Sequence, residues 1–82
     1  MKITLIQAEG LDALYTDGIL THTENPIYIM EGLETIKAKY GLPFTVASLD
    51  FLNVDEEWWV DQGCFPEKLE DIKLDRRRDD ND

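Results

Sequence analysis

His22 and Cys64 are the sole histidine and the sole cysteine of the chain, and they are its natural candidates for proton transfer or nucleophilic attack. A histidine-based dyad or triad needs a nucleophile within hydrogen-bond reach. The candidates are Cys64, Ser48 and the threonines, and none stands in a Gly-x-Ser-x-Gly turn. A lone strand histidine is most often an incidental, partly exposed polar residue. A reactive thiolate wants cationic neighbours, whereas Cys64 lies between Asp61 and Glu67 and beside Phe65. That setting reads as a small buried hydrophobe. One Cys and one His cannot assemble a four-ligand zinc site, and a single Cys gives no Cys-x-x-Cys pair.

Carboxylates are the next resource. Asp55, Glu56, Glu57 and Asp61 form the densest acidic cluster. A calcium loop requires alternating ligands and a turn glycine, a pattern that is missing here. Paired carboxylates for glycosidic chemistry need a larger cleft than so short a chain usually builds. Asp55 as a helix N-cap, with Glu56 and Glu57 at the positive end of the helix, accounts for the cluster without a ligand. No glycine-rich phosphate loop is present, because glycines 10, 18, 32, 41 and 63 are dispersed. No cofactor is implied.

Within the cluster, Trp58 and Trp59 are adjacent. Successive residues on a helix diverge by about 100°, so one ring is expected in the core and the other at least partly exposed. An exposed indole ringed by Asp55, Glu56, Glu57 and Asp61 has the makeup of an interface anchor with a charged rim. In the alternative, the second ring folds under the C-terminal segment against Phe65 or Leu69. From Asp50 to Leu74 there are eight acids against two bases, Lys68 and Lys73. A decoy for a basic groove would carry carboxylates in this density, and so would an ordinary acidic surface.

Several elements must position these groups. Lys2–Ala8 is rich in β-branched residues and reads as a strand that Gly10 and Asp12 end. Ala13–Thr16 and Ile19–Thr23 flank Asp17-Gly18, a hairpin signal because a type I′ turn needs positive φ at both central residues. A two-residue loop places Thr16 opposite Ile19 and Tyr15 opposite Leu20. Tyr15, Leu20, Ala13 and His22 then share one face, and Leu14, Ile19, Thr16 and Thr21 the other. Asn25-Pro26 reads as N-cap and first helical residue of a helix over 26–40. Ile29, Leu33, Ile36 and Tyr40 form its apolar stripe, widened by Met30. Gly41 and Pro43 end it. Gly32, inside this helix, costs roughly 1 kcal/mol against alanine and marks a close approach of another backbone, from this chain or a partner. A strand near 44–52, a short helix from Asp55 to Gly63, and a last turn docking Leu69 and Ile72 complete the order. The expected fold is α+β: a small, mostly antiparallel sheet with one main helix packed on it. The globular part is residues 1–74, and 75–82 is a charged, solvated tail.

Eighty-two residues, 43% of them hydrophobic, make one small domain rather than a disordered chain. The formal charge of −10 disfavours nucleic acid phosphates and anionic lipid, and favours a basic protein surface. The same acidity also serves solubility. Without a disulfide pair, a signal-peptide apolar run or a membrane-length apolar stretch, the expected location is the cytoplasm.

The run Ala8-Glu9-Gly10, Leu14-Tyr15-Thr16-Asp17-Gly18-Ile19-Leu20 and His22, with the ending Gly63-Cys64-Phe65-Pro66-Glu67-Lys68-Leu69, resembles short bacterial proteins of unknown function. Those carry a Tyr-x-Asp-Gly-x-Leu hairpin and a Gly-x-Phe/Tyr-Pro-x-x-Leu ending. The resemblance implies a fold and no activity. The functional expectation is therefore a non-enzymatic acidic protein-binding module: an inhibitor, an immunity or antitoxin-like protein, or a nucleic-acid-mimicking decoy. Its contact residues would be Asp55, Glu56, Glu57, Trp58, Trp59 and Asp61. The alternatives are a structural or self-associating subunit and a small enzyme centred on His22 or Cys64.

Overall fold

The computed structural model describes residues 1–41, 46 and 48–75. The elements are β1 (Lys2–Ala8), β2 (Leu11–Thr16), β3 (Ile19–Glu24), α1 (Ile29–Tyr40), β4 (Ser48–Asn53), α2 (Glu56–Gln62) and a 3-10 turn, Leu69–Asp71. The strands form one mixed sheet in the order β3-β2-β1-β4. β1, β2 and β3 form an antiparallel meander, and β4 lies parallel to β1. This is the expected small α+β fold. The earlier part of the expected 44–52 strand falls partly outside the described residues, as does the expected tail beyond Asp75.

Alternation along β1 and β2 splits the core into two layers. Ile3, Leu5 and Leu14 face α1 and pack with Ile27 and Ile36. Ile6, Ala13 and Tyr15 point to the opposite face and pack with Val54, Phe65 and Ile72. Both faces are therefore covered, one by α1 and the other by the chain that follows β4. Fully burying an aliphatic or aromatic side chain stabilises by about 1.5–3 kcal/mol. The two layers contribute comparably, because each holds five or six buried side chains.

Asp17 (φ 50°) and Gly18 (φ 83°) form the expected turn, and Thr16 faces Ile19 and Tyr15 faces Leu20. Beyond Tyr15 the register shifts by one residue, so that His22 lies opposite Leu14 rather than Ala13. A bulge inserts one extra residue and exchanges the faces of everything after it. His22 accordingly joins the Leu14 side of the sheet, not the Tyr15 side.

Three further expectations are corrected. Asp12 does not break a strand: it lies within β2, is buried, and its Oδ2 accepts the Ile27 N–H at 3.0 Å. That bond ties residue 27 to the sheet ahead of the helix. α1 starts at Ile29 with Tyr28 as N-cap, while Asn25-Pro26 sits in a turn with a cis peptide bond. The buried stripe of α1 centres on Gly32 and Ile36, while Met30 and Tyr40, expected on the apolar stripe, are exposed. A β-carbon at Gly32 would lie 3.2 Å from Leu14 Cδ2 and 3.4 Å from Ile27 Cγ2. The close approach at this glycine is thus made by side chains of the same domain.

Candidate functional site

α2 follows β4 after two residues, Val54 and Asp55, and its start is set by Asp55. The Asp55 side chain accepts the Trp58 N–H at 3.0 Å, its Oδ2 lies 4.0 Å from Lys73 Nζ, and its own N–H donates to the Lys73 carbonyl at 2.9 Å. Gly63, at φ 70° and ψ −1°, ends the helix in the left-handed conformation, and its N–H bonds the Trp59 carbonyl. Asp55 is therefore an N-cap as expected, and its carboxylate is engaged within the fold.

Trp58 and Trp59 are both half-buried and both pack against the Tyr15-side core. The division into one core ring and one exposed ring does not describe them; the alternative does, since Trp59 packs under the C-terminal segment against Phe65. When the line of contact passes between two consecutive helical positions, each lies about 50° to one side and both touch the core. Trp59 is further anchored: its indole N–H donates to the Glu9 carbonyl at 3.0 Å, and its ring centroid is 4.6 Å from that of Phe65.

The outward side of α2 is different in kind. Glu56, Glu57, Val60 and Asp61 are exposed, and Val60 retains 76% of its accessible surface. Two open clefts meet at Glu56 and Val60. One, of about 390 Å³, lies between α2 and the ends of β1 and β4 and includes Gln7, Glu9, Asn53, Trp59 and Asp75. The other is a shallow, open stretch along the outer side of α2 itself, formed by Glu56, Glu57, Val60 and Asp61. An aliphatic side chain in the middle of carboxylates, with an indole flank beside it, can hold the stem of a lysine or arginine while the acids meet its charge. Val60 is the exposed apolar residue of α2 that sequence reading missed. The available signal was its place one turn after Glu56, on the side of α2 away from the tryptophans.

His22 lies on the edge strand β3, with Nε2 2.9 Å from Glu24 Oε1. Cys64 is exposed, contrary to the expectation of a buried hydrophobe. The Gly63 cap turns the chain so that Phe65, the next residue, is the one that docks. A small hydroxyl cluster also escaped the sequence reading: Thr16 Oγ1 is 2.6 Å from Thr21 Oγ1 and 3.0 Å from the Tyr40 hydroxyl. Those hydrogen bonds, first from Thr16 and then from Thr21, hold the Tyr40 phenol below its ordinary pKa. They join the end of α1 to the hairpin. Among the described residues, no three of His, Cys, Asp and Glu converge to hold a metal ion, and no helix is long and apolar enough to cross a membrane.

No family model, curated protein or solved structure matches the chain.

Proposed function

We propose that this chain is a non-enzymatic, acidic protein-binding module whose α2 surface engages a basic surface on another protein. The observation that carries this reading is Val60, an aliphatic side chain 76% exposed and bordered by Glu56, Glu57 and Asp61. Burying such a group against a partner returns hydrophobic free energy, and the surrounding acids select for Lys and Arg. The formal charge of −10 supports the same partner by steering encounter over a longer range. An inhibitor, an immunity or antitoxin-like protein and a decoy for a nucleic-acid-binding groove all act in this way. Trp58 and Trp59 serve the site from beneath, by fixing α2 on the core.

The test starts from protein captured from native lysate at low salt and eluted with increasing salt. The affinity of each purified partner is then measured for the natural chain and for a Glu56→Lys/Glu57→Lys/Asp61→Lys variant. Affinity is expected to fall at least tenfold for the variant, and to fall steadily between 50 and 500 mM salt, as screening shortens the reach of surface charges. A partner bound equally well by the variant, or with affinity flat in salt, removes the reading. Turnover of a small substrate lost in His22→Ala or Cys64→Ala would replace it with an enzymatic one.

A further inference from the structure

β4 is an outer strand of the sheet, with β1 on one side only. The Val54 N–H donates to the Gln7 carbonyl, so Val54 directs its backbone polar groups toward β1. With the period-2 alternation of a strand, Leu52 and Asp50 do the same, and Asn53, Phe51 and Leu49 direct theirs outward. The outward position nearest α2 is already used: the Asn53 carbonyl accepts the Asp75 N–H at 2.8 Å, and Leu74 bridges Val54 in the antiparallel sense. This edge therefore accepts an antiparallel segment, and within the described residues that pairing stops at Asn53.

Leu49 and Phe51 are also the exposed apolar residues of β4. They align with Ile3 and Leu5 of β1 and so stand on the α1 face, yet they keep 38% and 56% of their surface because α1 leans toward β3. Asp50, between them, is exposed and lies on the opposite face with Thr4. An edge left unpaired among the described residues and carrying two exposed hydrophobes is a template for strand addition.

We infer that β4 binds an extended segment of a partner protein by antiparallel strand addition, the segment carrying apolar residues opposite Leu49 and Phe51 and a Lys or Arg opposite Asp50. Backbone hydrogen bonds to Leu49 and Phe51 supply affinity, and the alternating side chains supply selectivity. A second copy of this chain fits poorly. Any β4 pair brings together two molecules that each carry −10, and the antiparallel register centred on Asp50 also sets two carboxylates directly opposite each other. The inference goes beyond the α2 reading and rests on a different surface.

The probe is the peptide acetyl-Thr-Val-Lys-Val-Thr-amide, titrated into the full chain and followed by amide NMR shifts and hydrogen exchange. Slowed exchange is expected at the Leu49 and Phe51 amides. A Glu in place of the central Lys should weaken binding by about tenfold, as exchanging an attractive for a repulsive cross-strand pair would. Asp50→Lys should reverse that order, and Phe51→Thr, at an exposed position, should weaken both peptides. Methylating the backbone nitrogen of the valine opposite Phe51 should abolish the complex. Val60→Asp should leave it unchanged, which separates this result from failure of the α2 reading. Indifference to N-methylation, or a peptide order that Asp50→Lys does not reverse, overturns the proposal. So does dimerisation through β4 without peptide, or binding seen only after residues 76–82 are removed.

Discussion

At the scale of single residues, Tyr15 carries the most consequence. Its ring is fully buried in the layer beneath α2, and its hydroxyl donates to the Pro66 carbonyl. That one bond joins the middle of β2 to the segment that covers it. Burial, and then the nearby Asp71 carboxylate, push the Tyr15 pKa up to about 12. A phenol that keeps its proton more tightly when folded stabilises the fold below its unfolded pKa of about 10, and that contribution is lost as pH climbs through about 12. Tyr40 acts in the opposite sense. Its folded pKa is lowered, so its contribution is present above the unfolded value and lost as pH falls. Urea midpoints measured from pH 9 to 12 should therefore decline less steeply in Tyr15→Phe than in the natural chain, and more steeply in Tyr40→Phe. At pH 7, Tyr15→Phe should cost about 1–2 kcal/mol, since it leaves the Pro66 carbonyl without its donor. Equal slopes in all three proteins would show that neither hydroxyl is coupled to folding as described.

At the scale of elements, the placement of α1 depends on Asp12. Its buried carboxylate holds the Ile27 N–H, and Ile27 in turn fills the space beside Gly32 and Leu14. Asp12→Ala removes the acceptor and leaves a buried donor unpaired, which should lower stability by about 1–3 kcal/mol. Asp12→Asn keeps an acceptor oxygen and should recover most of that loss. If both variants unfold at the same denaturant concentration, the tie between β2 and α1 is not what places the helix. The same residue shows where sequence reading ends. Asp17-Gly18, Asp55 and Gly63 act through the backbone of their own neighbours, and such local chemistry was legible. The α1 stripe is legible in its period, although its members Met30 and Tyr40 remain exposed. Asp12 acts across fifteen residues on Ile27, and its strand position contradicts its local propensity, so a strand-breaker was the expected reading. The bulge at Thr21, opposite the Leu14–Tyr15 step, was equally hidden, because it moves His22 to the other face without any mark in the hairpin turn. In the candidate site, the acids of α2 were legible as an exposed cluster. The partition between inward indoles and outward Val60 required knowing where the line of contact with the core runs.

At the scale of the whole molecule, the sheet is a middle layer, and the binding surfaces depend on its second cover. Phe65, Leu69, Ile72 and Leu74 close the Tyr15 face together with Trp58 and Trp59. The Leu20 N–H donates to the Glu67 carbonyl and the Leu69 N–H to the Gly18 carbonyl, both at 2.8 Å, so this segment also closes the hairpin end of the β3 edge. The Asp55 N–H bond to the Lys73 carbonyl anchors it at the start of α2. Residues 64–75 thus hold the second core layer and the base of the proposed contact surface at once. At about 1.5–3 kcal/mol for each fully buried apolar side chain, losing Phe65 and Ile72 alone removes about 3–6 kcal/mol. A domain of this length has a total stability of about 4–12 kcal/mol. A chain ending at Gly63 should therefore lose its cooperative thermal transition and bind a hydrophobic dye. Phe65→Ala should unfold cooperatively at a lower temperature, with a cost of about 3–5 kcal/mol. Phe65→Leu keeps most of the apolar volume and should fall between that variant and the natural chain. A chain ending at Gly63 that still melts sharply, near the natural midpoint, would mean that α1 and the sheet make a sufficient core by themselves. The tryptophans of α2 would then need another reason for facing inward.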